Sequence, residues 1–166
     1  MAKSKKRKTT DRARLVAAQV LYQVTEENIF SNESAAYYLA SAGLDARDRA
    51  FASAIIYGTL SRLPLIDYYL SRASERPLEK LDPWVRTILR AGIWQLYFSY
   101  QVTTHAACDE SVHLARLLAT EKTTGFVNGV LRRLARDRPD LPAKEAAALE
   151  LGLPPDLFNL MVSWYG

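Results

Sequence analysis

Hydrophobic residues recur every three or four positions along most of the chain, which is the period of an α-helix. The first apolar stripe consists of Ala17, Val20, Leu21 and Val24. Thr10 and Asp11 precede this stripe and are suited to cap the start of a helix. A second helix is predicted through residues 35–42, ending at Gly43, and Asp45 is placed to begin a third. No segment shows the sustained alternation of a β-strand, so the pattern predicts an all-α fold.

The strongest helical pattern follows Asp82 and Pro83, which suit the N-cap and the first helical position. Its apolar face comprises Val85, Ile88, Leu89, Gly92, Ile93, Leu96 and Tyr97. This helix is predicted to be the central one. Glycine inside a helix costs about 1 kcal/mol relative to alanine, so Gly92 indicates close approach of a neighbouring helix. Other helices are predicted after Pro64, over about 105–119, and after Thr124.

The helical pattern weakens after Arg138, where prolines interrupt it at positions 139, 142, 154 and 155. Only a short helix over about 144–149 fits between these prolines. The closing segment is apolar and ends in Trp164 and Tyr165. A domain rarely stops on an exposed pair of large aromatic residues. Residues 139–166 are therefore interpreted as a short helical extension and the start of a connection toward another domain.

Positive charge is concentrated at the N-terminus of this 166-residue chain. Seven basic residues and one acidic residue give residues 1–14 a charge of +6, which leaves −2 on the rest of a chain whose net charge is +4. Residues 1–10 are interpreted as a basic arm of the kind that is usually disordered and attracts polyanions. The arm and the residues after it supply candidate phosphate contacts at Lys5, Lys6, Arg7, Lys8, Arg12 and Arg14.

A second basic group is predicted on the helix after Thr124. Arg132, Arg133 and Arg136 fall on one side of a helical wheel, opposite an apolar stripe. Such a face could follow a phosphate backbone. The alternative is a solvated helix face in which Arg133 pairs with Asp137, and the composition leaves both interpretations open.

The sequence contains no convincing catalytic or metal site. Its single cysteine, Cys108, excludes an internal disulfide framework, and its place on an apolar face favours a buried structural role over a nucleophile paired with His105. No carboxylate triad accompanies the two histidines, and Glu26 and Glu27 are interpreted as helix-surface charges. Glycine-rich phosphate loops, a membrane span and a signal peptide are likewise not apparent, so we expect a soluble, cytoplasmic protein with no metal and no membrane partner.

Several motifs in this order resemble the NusB family. The first helix is similar to that family's opening helix at residues 14–22, and later segments match it in turn. The matching segments are 14–22 (RLVAAQVLY), 48–51 (DRAF), 57–60 (YGTL), 89–96 (LRAGIWQL), 105–112 (HAACDESV) and 125–132 (GFVNGVLR). The resemblance implies an all-α, NusB-like helical bundle over residues 11–138 that binds RNA.

Within this family, residues 81–83 (LDP), 94–96 (WQL) and 128–134 (NGVLRRL) resemble the N-terminal domain of Sun/RsmB-type enzymes. These are ribosomal RNA cytosine-C5 methyltransferases that use S-adenosylmethionine. The resemblance implies that this chain helps to position ribosomal RNA and has no catalytic site. The cofactor and the catalytic cysteines would belong to a methyltransferase domain outside this sequence.

Two other functions remain open. One is a free-standing NusB-type transcription antitermination factor, which would bind RNA together with a ribosomal protein. The other is a protein-interaction module with no RNA role. In all three cases Gly92, Asn128 and Gly129 are assigned to helix packing, with the Asn128 amide satisfying neighbouring backbone groups.

Overall fold

The computed structural model describes residues 2–29, 32–142 and 146–150, and side chains are described for all of these except 2–11, 32–34 and 147. Every regular element in these residues is helical, which confirms the all-α prediction. The α-helices are α1 Ala2–Thr25, α2 Asn32–Ser41, α3 Ala46–Ser61, α4 Leu63–Ala73, α5 Pro83–Phe98, α6 Thr104–Leu118, α7 Thr124–Arg136 and α8 Ala146–Glu150. Two short 3₁₀ turns, Leu78–Lys80 and Glu121–Thr123, precede α5 and α7.

The start of α1 differs from the prediction. The helix begins at Ala2, so Thr10 and Asp11 lie inside it and do not cap it. The basic segment that was expected to be a disordered arm is instead the first part of this helix. Alanine, lysine and arginine are good helix formers, and this propensity lets the helix extend beyond its apolar stripe.

The starts of α3 and α5 agree with the prediction. Asp45 Oδ1 accepts a hydrogen bond of 2.8 Å from the Asp48 amide at the start of α3. Asp82 Oδ1 accepts from the amides of Trp84 and Val85 at 2.9 and 3.2 Å, and Pro83 occupies the first position of α5. These caps satisfy amide groups that have no partner within the helix.

Helix α5 is central, and it separates two groups of buried side chains. One apolar cluster is formed mainly by α4, α5, α6 and α7, and the other mainly by α1, α2 and α3. Trp94 packs against both clusters. At Gly92 a Cβ atom would lie 2.9 Å from Ser111 Oγ and 3.1 Å from Leu131, so α6 and α7 both approach α5 closely at this glycine.

Residues after α7 fold back onto the bundle. Tyr68 donates a 2.7 Å hydrogen bond to the Asp140 carbonyl, and the Arg138 guanidinium lies 4.5 Å from the centre of the Tyr97 ring. Leu149 of α8 is buried in the cluster that includes α4. The short helix predicted here is therefore found at Ala146–Glu150, whereas the remainder of the predicted connection, residues 151–166, lies outside the described residues.

Candidate nucleic-acid interface

The basic N-terminal segment forms the first turns of α1. Lys5, Lys6, Arg7 and Lys8 have helical backbone, and their side chains are outside the described part of the structure. Their phosphate contacts therefore stay a prediction.

Arg12 and Arg14 are near neighbours in sequence but lie in different environments. Arg12 is exposed and donates a hydrogen bond of 2.5 Å from Nη2 to the Ala42 carbonyl. Arg14 is only 5 % exposed, and its Nε donates to Gln95 Oε1 at 2.7 Å. Its guanidinium also lies 5.0 Å from the centre of the Phe51 ring.

The phosphate contact predicted for Arg14 is therefore not supported, because this side chain is enclosed between helices. The sequence carried a signal for this burial. Arg14 shares the helical spacing of Ala17, Ala18 and Leu21, all of which are buried. Position 14 thus belongs to the inward face of α1, whereas Arg12 is exposed.

Helix α7 presents the second basic group. Val127, Val130, Leu131 and Leu134 are buried on its inner side. Arg133 and Arg136 are exposed on its outer side, and Arg132 is partly exposed. Among the ion pairs of the described residues, none joins Arg133 to Asp137, so this intrahelical pair is not observed. The phosphate contacts of the three arginines stay a prediction.

Arg132 connects α7 to α6. Its Nη2 lies 3.2 Å from Asp109 Oδ1, and its Nε donates to Asn128 Oδ1 at 3.4 Å. The other Asp109 oxygen lies 2.9 Å from His105 Nε2. Asp109 thus holds one basic side chain from each helix beside an open groove of about 450 Å³ between α6 and α7.

The packing roles expected for Asn128 and Gly129 are not found. Both residues are exposed, and the Asn128 amide oxygen accepts from Arg132 rather than from backbone. A Cβ atom at Gly125 or Gly129 would meet no atom within 4 Å. Because neither glycine carries a side chain, the backbone on the outer face of α7 is accessible to a large ligand.

The structure gives Cys108 a buried position. The side chain is fully enclosed, and burial raises the pKa of its thiol above the ordinary value, which favours the unreactive protonated form. Within the residues described, no group of three or more histidine, cysteine, aspartate or glutamate side chains is arranged to hold a metal ion. No helix in the described ranges is long and apolar enough to cross a membrane.

The sequence analysis missed a cluster of ion pairs between α1, α4 and α5. Glu26 accepts hydrogen bonds from Arg86, and Arg90 binds Asp67 through two contacts of 2.7 and 2.9 Å. The Glu26 side chain is 11 % exposed, so its assignment as a helix-surface charge was wrong. Its hydrogen bond raises the pKa of Arg86, and this arginine also donates to the Leu78 carbonyl before α5.

Comparison with known proteins identifies the family. The NusB family pattern matches residues 11–136, which is most of the chain. The match includes Arg12 and the basic group on α7, but not the first ten residues, which hold the other basic residues of α1. The chain belongs to the NusB family. The solved structure of NusB from T. maritima superimposes with a TM-score of 0.71 at 27 % identity, over 77 % of this chain and 91 % of that one.

Two kinds of protein are similar to this NusB-family chain. A transcription antitermination protein NusB from Halorhodospira halophila is 38 % identical over 133 residues, which cover 80 % of this chain and 85 % of that protein. A ribosomal RNA small subunit methyltransferase B from Xanthomonas campestris is 36 % identical over 126 residues, but only 28 % of that protein is covered. A putative methyltransferase from Mycobacterium tuberculosis, 35 % identical, is also covered over 28 % of its length. This NusB-family chain is thus similar both to antitermination proteins over most of their length and to part of longer methyltransferases.

Proposed function

We propose that this NusB-family domain binds ribosomal RNA and positions it for a methyltransferase domain that modifies cytosine at C5. The observation that carries the proposal is the outer face of α7, where exposed Arg133 and Arg136 stand beside the partly exposed Arg132. The open backbone at Gly125 and Gly129 adds room for a phosphate chain to approach. The domain would bind this RNA in the cytoplasm, where ribosomes are assembled.

The charge distribution supports an RNA ligand. Arginine donates several hydrogen bonds in a planar fork that matches a phosphate group, and each neutralised phosphate releases condensed cations into solution. The basic first turns of α1 would add further phosphate contacts through Lys5, Lys6, Arg7, Lys8 and Arg12. Such contacts fix the position of the RNA without reading its sequence.

In this proposal the chain binds RNA and carries no catalytic residues. Cys108 is enclosed, and Asp109 beside the groove pairs with Arg132 and contacts His105 rather than activating a nucleophile. S-adenosylmethionine and the residues that transfer the methyl group would belong to a further domain. The packing of Arg138, Asp140 and Leu149 against the bundle, beyond the family match, supports a connection that leaves from a fixed point.

A second candidate function is transcription antitermination, in which the domain would bind RNA together with a ribosomal protein. The match to 85 % of the Halorhodospira halophila antitermination protein favours it. The reading frame after Gly166 separates the two functions. Continuation into a cofactor-binding domain would support the methyltransferase, and a stop codon would support antitermination.

The RNA-binding surface is tested with two double variants that change the net charge equally. Arg133→Glu with Arg136→Glu alters the outer face of α7, whereas Arg72→Glu with Arg76→Glu alters exposed positions at the end of α4 and just after it. We expect the α7 variant to weaken binding of single-stranded RNA by about tenfold in fluorescence anisotropy, because it replaces two phosphate contacts with repulsion. The α4 variant should change affinity by less than about threefold. Equal losses in the two variants would show that net charge alone, and not the α7 face, governs binding.

A further inference from the structure

A second groove, of about 1010 Å³, lies where the start of α3 meets the end of α5 and the turn that follows it. Its lining is rich in aromatic side chains, namely Phe51, Trp94, Phe98 and Tyr100. Tyr100 stands fully exposed in the turn after α5. A large exposed aromatic ring beside a groove is a typical platform for stacking a flat ligand.

Two of the aromatic rings in this groove are held in place by their neighbours. A Cβ atom at Gly58 would overlap Trp94 Nε1, so the indole rests directly on the backbone of α3. The Arg62 guanidinium lies 4.3 Å from the centre of the Phe98 ring. The groove therefore has a fixed aromatic wall, and a ligand that enters it loses little by ordering these side chains.

Asp48 adds a specific polar group to the same groove. The residue is 9 % exposed, and its Oδ2 has no hydrogen-bond partner among the described residues. Burial raises the pKa of Asp48, Asp45 acts in the same direction, and Arg47 opposes both. A buried acceptor without a donor is unfavourable, and Oδ2 is itself enclosed. Rotation of the Asp48 carboxylate would turn this oxygen toward the groove, where a ligand N–H group would supply the hydrogen bond that the protein alone lacks.

The edge of the groove carries basic side chains beside the exposed Asp45. Arg47 lines it, and Arg49 is exposed in the same first turn of α3. Helix α1 also borders the groove, because Arg14 belongs to the lining. Because a helix rises 1.5 Å per residue, Lys8 lies about 9 Å further along the α1 axis, with the rest of the basic segment beyond it. A phosphate next to a ligand at the start of α3 would therefore meet Arg47 or Arg49.

We propose that this groove is a subsite for one unpaired nucleobase of the bound RNA, which stacks on Tyr100 and presents an amino group to Asp48. The inference rests on the proposed RNA-binding function and adds a site at which the protein distinguishes one base from another. A nucleobase fits all three features, since it has a flat aromatic face, N–H donors at its edge and phosphates on both sides. A base with an exocyclic amino group, such as cytosine or adenine, is preferred over uracil.

The stacking part of this proposal is tested with Tyr100→Ala and the matched control Tyr37→Ala. Tyr37 is also exposed but lies on α2 and does not line the groove. With a fluorescein-labelled pool of random-sequence 12-nucleotide RNAs, we expect Tyr100→Ala to weaken binding by about tenfold, the size of a lost base–aromatic stack. Tyr37→Ala should bind like the unaltered protein. The dependence of affinity on salt should be the same in all three proteins, because stacking releases no bound cations.

The hydrogen-bonding part is tested with Asp48→Asn and three 12-nucleotide homopolymers of cytidine, adenosine and uridine. The unaltered protein should bind the cytidine and adenosine polymers more tightly than the uridine polymer. Asparagine offers a donor that suits the uracil O4 carbonyl, so the variant should shift the preference toward uridine by about fivefold or more. Circular dichroism of each variant provides the control for folding.

The outcomes separate this subsite from the proposed function. If the unaltered protein fails to bind the RNA pool, both the RNA-binding function and the nucleobase subsite are wrong. If it binds with a steep salt dependence but Tyr100→Ala and Asp48→Asn bind with unchanged affinity and preference, the subsite alone is wrong.

Discussion

Glycine has opposite roles at two positions of this protein. Gly58 faces the interior, and a Cβ atom there would overlap the Trp94 ring. Gly129 faces outward, and a Cβ atom there would meet nothing within 4 Å. The first glycine permits helix packing, whereas the second carries the ordinary cost of glycine in a helix without any packing benefit.

This contrast predicts opposite effects of alanine on stability. Gly58→Ala should lower the free energy of unfolding by about 2 kcal/mol, because the indole of Trp94 must move out of a packed position. Gly129→Ala should raise it by up to about 1 kcal/mol through helix propensity alone. Urea denaturation of both variants measures the difference. A Gly58→Ala variant as stable as the unaltered protein would contradict the observed contact with Trp94.

Individual side chains were the hardest feature to predict from the sequence. The spacing of apolar residues placed Cys108 and Val127 in the interior correctly. Both Arg12 and Arg14 were predicted to contact phosphates because of their charge. The apolar spacing places position 14 on the inward face of α1, but this signal was not used. Asn128 and Gly129 were assigned to packing from their neighbours in sequence, but both are exposed. Tertiary contacts such as that between Arg14 and Gln95 join residues 81 positions apart, which no local pattern reports.

At the scale of helices, the ion pairs around Glu26 fix how α1 meets α4 and α5. Glu26 near the end of α1 binds Arg86 and lies 3.5 Å from Arg90, which in turn binds Asp67 of α4. The two arginine side chains are 14 and 12 % exposed. Removal of Glu26 would leave the nearly buried Arg86 without a carboxylate partner, whereas Arg90 would keep Asp67. An enclosed positive charge without such a partner is costly.

Neighbouring glutamates provide a matched test of this network. Glu26→Ala should lower the free energy of unfolding by about 2–3 kcal/mol, because the nearly buried Arg86 loses its carboxylate partner and Arg90 loses one of two. Glu27→Ala should change it by less than about 0.5 kcal/mol, since Glu27 is exposed. Thermal or urea unfolding distinguishes them. Equal, small losses in the two variants would show that the network does not hold α1 to α5.

The helices themselves were predictable where local chemistry defines their ends. Asp82 with Pro83, and Asp45, cap α5 and α3 at the predicted places because these residues act within one turn of the helix. The start of α1 was not predicted, because helix propensity extended it past the apparent caps at Thr10 and Asp11. Local signals thus located the well-capped helices, and the apolar period of α5 identified it as central.

At the scale of the whole molecule, two apolar clusters meet at α5, and positive charge lies at separate places around them. Trp94 packs against both clusters and also lines the groove proposed to hold a nucleobase. The family match explains the arrangement of helices, whereas the basic first turns of α1 lie outside that match. The sequence resemblance therefore predicted the fold. It did not predict the groove, because the groove forms only where α3 packs beside the end of α5 in the folded protein.

The central claim is that the basic residues of this domain engage the phosphates of RNA. Its most direct test is the affinity for single-stranded RNA measured by anisotropy over a series of salt concentrations. Five contacts from the start of α1, at Lys5, Lys6, Arg7, Lys8 and Arg12, together with up to three from α7, predict a slope of log K against log salt between about −3.5 and −5.6. A slope near zero, or no binding at low salt, would contradict the account.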